Sequence, residues 1–127
     1  MKVMTDIFLA DTYALIEFFL GNNNYQRYQD AYILTTKLNI MELYYFLLKE
    51  YSKEVADRYL SFYSSSSFSI PISYSSIRYG MEFKLRHKNE RLSYIDCVGY
   101  ALSIELGIKF LTGDEKFRDK SNVEFAK

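Results

Sequence analysis

The sequence predicts an α/β fold: a mostly parallel sheet of four to five strands with helices on both faces. Two observations carry this. Short unbroken apolar or β-branched runs, such as Ile7-Phe8-Leu9-Ala10, suit strands buried on both faces. Between them lie longer stretches with apolar residues at helical spacing, and strands alternating with helices imply parallel pairing through crossovers. With 127 residues, 49% of them hydrophobic, the chain suits one domain over 1–127 around a single core.

The first strand, 7–10, ends at Asp11, and a helix follows over 12–20, stopped by Gly21-Asn22-Asn23-Asn24, residues that tolerate left-handed geometry. Residues 31–36 (Ala-Tyr-Ile-Leu-Thr-Thr) are β-branched and aromatic enough for a second strand, and Thr36 can cap a helix reaching Tyr51. Ser52 caps the next helix, 53–63. The run Ser64 to Ser67 reads as a solvated connection. A third strand is expected over 68–73, with Pro71 placing it toward the sheet edge. Helices over 74–88 and 93–106, a strand over 108–111 and a short fifth strand over 123–125 complete the pattern.

Sixteen basic and sixteen acidic residues cancel, so any attraction to nucleic acid must come from a local patch and not an overall field. The lone Cys97 cannot form an internal disulfide, which fits a reducing, cytoplasmic compartment. The apolar stretch 7–20 is interrupted by Asp11 and Glu17 and lacks a basic leader and a spanning length, so no signal peptide or membrane span is expected.

In open α/β sheets ligands bind beyond the carboxyl ends of the strands. Four acids meet that condition: Asp11 and Asp114 follow strands, and Glu42 and Asp96 lie in the early turns of helices that start at the same edge. Glu42 is the most telling, because Leu38, Tyr45 and Phe46, its helical neighbours, form an apolar stripe that would turn it inward. A buried carboxylate is normally neutral, paired or bound to a cation, and no Lys or Arg lies near it on the helix face. Each acid also has a local explanation. Asp11 suits an N-cap, Ser93-x-x-Asp96 and Asn39-x-x-Glu42 have capping-box spacing, and Asp114 can cap a turn through Phe117. Four carboxylates at one edge would raise one another's pKa unless a cation sat among them, and all-oxygen ligation suits Mg²⁺ or Mn²⁺.

Taken in order, Phe-Leu-Ala-Asp11-Thr12, Asn39-Ile-Met-Glu42-Leu, Leu92-Ser-Tyr-Ile-Asp96-Cys and Phe110-Leu-Thr112-Gly-Asp114-Glu-Lys-Phe117 resemble the PIN domain, particularly the VapC-type toxins of toxin–antitoxin pairs. The resemblance spans nearly the whole chain. It implies a PIN-like three-layer α/β/α sandwich in which Asp11, Glu42, Asp96 and Asp114 hold Mg²⁺ or Mn²⁺ and catalyse hydrolysis of RNA phosphodiesters by an activated water. Thr12 and Thr112 match positions where family members carry a hydroxyl near metal or phosphate. Beyond the fourth acid the family varies, and Glu115 and Asp119 compete with Asp114 for secondary roles. The resemblance also implies a homodimer and an antitoxin protein as partner, with Tyr44, Tyr45, Tyr51, Tyr59 and Tyr63 as candidate interface residues.

The stretch 78–91 carries Arg78, Lys84, Arg86, Lys88 and Arg91 against Glu82 and Glu90, which is either a track for an RNA backbone, with Arg86 and Lys88 its candidates, or a solvated helix face. His87 lacks an identifiable partner for base catalysis. Cys97, on the side of Ala101 and Ile104, suits the core, and Gly99 suits close approach of a neighbouring element. The competing functions are a nuclease that processes RNA without being a toxin, and a non-catalytic RNA-binding or interaction module, against which four retained acids argue. A phosphoacceptor receiver domain would need paired early carboxylates and a late lysine, which the sequence does not clearly supply.

Overall fold

The computed structural model describes residues 6–127. Among them, β1 (Ile7–Ala10), β2 (Tyr32–Leu34), β3 (Lys109–Thr112) and β4 (Val123–Phe125) form one parallel sheet in the order β2-β1-β3-β4. The helices are α1 (Thr12–Leu20), α2 (Lys37–Glu50), α3 (Lys53–Ser64), α4 (Tyr74–Arg86) and α5 (Tyr94–Leu106). None is long and apolar enough to cross a membrane.

Alternation along the strands divides the core between two layers. Leu111 joins Phe8 and Ala10 in a cluster with Ala14 and Leu15 of α1, Leu43 and Leu47 of α2 and Ala56 of α3. Its neighbour Phe110 points the other way, to Phe83 of α4, Cys97 and Tyr100 of α5, and Phe117. The result is the expected α/β/α sandwich. Close approach of α4 to α5 depends on Gly80, where a Cβ would stand 2.8 Å from the Cys97 carbonyl oxygen. Gly99 receives the Phe110 ring in the same way, at 3.3 Å.

Caps fall where the side chains allow them. Thr36, Ser52 and Ser93 accept the N–H groups of Asn39, Val55 and Asp96, and Gly21 and Gly107 close α1 and α5 in left-handed geometry.

Three expectations need correction. The strand over 68–73 shrinks to a single parallel bridge between Thr35 and Ser69. Thr35 N–H donates to the Phe68 carbonyl and Ile70 N–H to the Thr35 carbonyl, each at 2.9 Å, but the ladder goes no further. On one side Phe68 N–H turns to Ser66 Oγ, and on the other Thr36 caps α2 and ends the partner strand. The helix expected to reach residue 88 stops at Arg86, because His87 stacks on Phe83 and binds Glu90 at 2.6 Å across a 3-10 turn, Lys88–Glu90. The buried stripe of α2 is Asn39, Ile40, Leu43 and Leu47; Leu38 and Phe46 are only partly buried, Phe46 against the core cluster, and Tyr45 is exposed. Of the candidate interface tyrosines, Tyr44, Tyr59 and Tyr63 are partly buried against the core cluster, while Tyr45 and Tyr51 are exposed.

Candidate active site

A parallel sheet creates a crevice where connections leave neighbouring strands in opposite directions. Here the chain leaves β1 for β2 on one side, while β3 lies on the other. Asp11 follows β1, and its N–H donates to the Leu111 carbonyl at 3.1 Å, carrying the β1–β3 pairing to the edge of the crevice. Thr112 and Asp114 close β3 beside it. An open cleft of about 690 Å³ lies there, lined by Asp11, Thr12, Tyr13, Met41, Glu42, Tyr45, Ser93, Asp96 and Asp114.

Asp11 is 1% exposed, and both carboxylate oxygens are held. Oδ1 accepts the Ala14 N–H at 2.8 Å, the N-cap of α1, and Oδ2 accepts the Thr112 hydroxyl. Thr112 Oγ1 in turn accepts the Asp114 N–H at 3.0 Å, so the ends of β1 and β3 are tied through one hydroxyl. Asp114 Oδ1 accepts the Lys116 N–H at 3.0 Å. For Asp11 and Asp114, capping and cleft lining are therefore the same placement.

A second chain of polar contacts orients Glu42. The Thr36 hydroxyl donates to Asn39 Oδ1 at 2.7 Å, Asn39 Nδ2 donates to Thr12 Oγ1 at 3.1 Å, and the Thr12 hydroxyl donates to Glu42 Oε1. Asn39 is fully buried and its role is invisible in the local pattern, where it appears only as a capping partner of Glu42; its true capping partner is Thr36.

Electrostatics couple the acids. The Asp11 carboxyl is pushed up to about 8, mainly by burial and then by Asp96, with Asp114 adding and the Thr112 and Ala14 hydrogen bonds opposing. Asp96 is pushed up to about 6 by burial, opposed by the Ser93 hydroxyl, raised further by Glu42 and Asp114 and lowered by Lys116. Among the described residues no Lys or Arg lies in salt-bridge contact with any of the four acids.

The donor chemistry, carboxylates and hydroxyls without thiol or imidazole, fits a hard divalent cation. The spacing differs from expectation. Among the described residues no three His, Cys, Asp or Glu side chains stand at metal-ligand distances, so the acids line one cleft without closing on one point. The reason is visible in their contacts: Asp11, Glu42 and Asp114 are each turned onto a donor of the chain itself, and like charges keep apart.

Arg86 and Lys88 are exposed and do not line this cleft; Arg86 lies over the Tyr79 ring at 5.8 Å. Lys84 and Lys116 direct their ammonium groups to the Leu92 and Arg91 carbonyls just before Ser93. Glu115 is occupied by Arg118 and Lys127. Tyr13, Met41 and Tyr45, also absent from the sequence reading of the site, line it too; Gly113 lets the Tyr13 ring approach, since a Cβ there would lie 2.2 Å from Cε1.

Several solved structures share this architecture. A toxin–antitoxin complex from Klebsiella pneumoniae matches with a TM-score of 0.70 at 20% identity, over 92% of this chain and 95% of that one. The Mycobacterium tuberculosis toxin VapC20, described as cleaving the sarcin–ricin loop, matches with a TM-score of 0.76 at 16% identity, over 96% and 100%. VapBC2 from Rickettsia felis, solved on a DNA fragment from its promoter, matches with a TM-score of 0.72 at 18% identity, over 94% and 96%. A comparison with curated protein sequences found no match. A family model for the PIN domain matches residues 8–123, and the chain belongs to the PIN domain family.

Proposed function

We propose that the protein is a metal-dependent endoribonuclease, the toxin of a toxin–antitoxin pair, with Asp11, Glu42, Asp96 and Asp114 as its acidic set. The observation that carries the reading is that Asp11, Glu42, Asp96 and Asp114 line one cleft where, among the described residues, no Lys or Arg forms a salt bridge with them. Like charges gathered without a basic partner at a strand-end crevice repel one another, and a cation among them compensates the repulsion. Family membership and the toxin neighbours support RNA as substrate and an antitoxin as partner.

When bound, Mg²⁺ or Mn²⁺ supplies Lewis acidity and a water of lowered pKa. The chain's own contribution is positioning. The Ala14 N–H and the Thr112 hydroxyl fix the Asp11 carboxylate at the end of β1. Thr12, held by Asn39, aims Glu42 into the same cleft. Burial, Asp96 and Asp114 push the Asp11 carboxyl up to about 8, so protons and a cation compete for its oxygens.

The test is incubation of the purified chain with single-stranded and structured RNA, with Mn²⁺ or Mg²⁺ and with chelator, beside Asp11→Asn and Asp96→Asn. Cleavage is expected only with a divalent ion and to fall at least a hundredfold in each variant. Metal-independent cleavage, or full activity in both variants, would refute the proposal.

A further inference from the structure

The cleft has an acidic floor and no lysine or arginine among its described lining residues, yet its substrate in the reading above is a polyanion. Compensating the acids brings a phosphate in, but charge alone then supplies little further affinity at the mouth. The mouth is instead apolar and aromatic. Met41 and Tyr45, both on α2, are 55% and 67% exposed and flank Glu42 in sequence, Met41 just before it and Tyr45 three residues after.

Tyr45 is not a core residue at the rim. Its neighbours Tyr44 and Phe46 pack on the core cluster, and Tyr44 donates its hydroxyl to Asp57 at 2.7 Å. Tyr45 has neither of these: among the described residues its ring pairs with no other aromatic ring and its hydroxyl has no hydrogen-bond partner. An aromatic face left open beside an acidic cleft has the form of a stacking platform, since every nucleobase presents a π-face and stacks on Tyr without a sequence requirement.

We infer that the Tyr45 ring, with Met41 beside it, receives an unstacked base of single-stranded RNA when the adjoining phosphodiester enters the acidic cleft. The inference rests on the ribonuclease reading and deepens it: the substrate class is RNA in which the base next to the scissile bond is free of helical stacking. A base inside a duplex keeps both faces occupied by its neighbours and cannot lie on the ring.

The test measures binding of a labelled single-stranded oligoribonucleotide of mixed sequence, in Ca²⁺, to the wild-type chain and to Tyr45→Phe and Tyr45→Leu. It is repeated with the same oligonucleotide carrying abasic residues and with its duplex, and cleavage in Mn²⁺ is followed in parallel. Tyr45→Phe is expected to bind within about twofold of wild type, and Tyr45→Leu to bind roughly 5- to 100-fold more weakly. The KM for cleavage should rise in step while kcat changes little. The loss should vanish on the abasic strand, and thermal unfolding of Tyr45→Leu should match wild type, because the ring is exposed.

Unchanged RNA binding in Tyr45→Leu overturns the platform and leaves that face to a protein partner. An equal loss on the abasic strand also overturns it, since the ring would then be acting through the backbone. Failure of the wild-type chain to bind any of the RNAs overturns the platform and the ribonuclease reading together. Tyr45-dependent binding without metal-dependent cleavage supports the platform and defeats only the nuclease.

Discussion

Asp11 concentrates the opposing demands on this fold in one side chain. It caps α1, ties β1 to β3 through Thr112 and lines the cleft, all while almost fully buried. Its carboxyl moves from an ordinary 3.8 to about 8 on folding, so between those values the folded chain holds a proton that the unfolded chain has lost. The unfolded state binding fewer protons means that stability falls as pH rises through this window, and is greatest at its acid end. Asp96, raised to about 6, adds to the loss between its ordinary value and that one. Asp11→Asn keeps a capping oxygen and removes the titration. Without divalent ions, the variant is expected to exceed wild type in stability by a few kcal/mol at pH 8, on the order set by about 1.4 kcal/mol per pKa unit, with the gap closing toward pH 4. Urea unfolding at several pH values checks this, and parallel pH dependences for the two proteins would contradict the burial of a protonated Asp11.

At the scale of elements, the α4–α5 pair supports the acidic side of the cleft, since α5 carries Ser93 and Asp96 at its start. The two helices meet at Gly80, where an added Cβ would strike backbone atoms only: the Cys97 carbonyl at 2.8 Å and the Val98 Cα at 3.1 Å. Backbone cannot rotate away as a side chain can, so Gly80→Ala must push the helices apart. A loss of about 1–3 kcal/mol in unfolding free energy is expected, by the usual scale of overpacking. Gly99→Ala meets the Phe110 ring at 3.3 Å, which can give by a few tenths of an ångström, and should cost less. Denaturant midpoints of the two variants decide the order; a Gly80→Ala protein as stable as wild type would show that the pair is not tightly seated.

For the whole molecule, the pH dependence and the proposed cation are linked. Four carboxylates line a cleft without closing into a cage, and two of them, Asp11 and Asp96, are pushed up by burial and by neighbouring acids. A cation that binds only the folded state stabilises it, and it competes with protons for the same oxygens. Mn²⁺ is therefore expected to raise the melting temperature by several degrees at pH 8 and by much less at pH 5. Chelator should reverse the rise, and Asp11→Asn should abolish most of it. An equal Mn²⁺ effect at both pH values, or in the variant, would place the ion elsewhere.

The sequence by itself determined the elements and their order. Buried strands, helix caps at Thr36, Ser52 and Ser93, and the stop at Gly21 are local matters of hydrophobic period, hydrogen-bonding side chain and backbone freedom, and each is written within a few residues. The strand-end position of Asp11 and Asp114 was equally legible, because a parallel sheet puts all its carboxyl ends on one edge. What only the tertiary structure decided were rotations and partners. The face that α2 buries depends on where α1 and the sheet already stand, and this turned Tyr45 to the cleft mouth when its spacing suggested the core. The strand expected over 68–73 depended on a partner, and that partner had become α2 by Thr36. Asn39 and Thr12 are 27 positions apart, and the hydrogen bond that aims Glu42 exists only once α1 and α2 are packed side by side. Local sequence encodes which conformation a segment prefers; which side chains meet across segments is set by packing, and the chemistry of this cleft is made of such meetings.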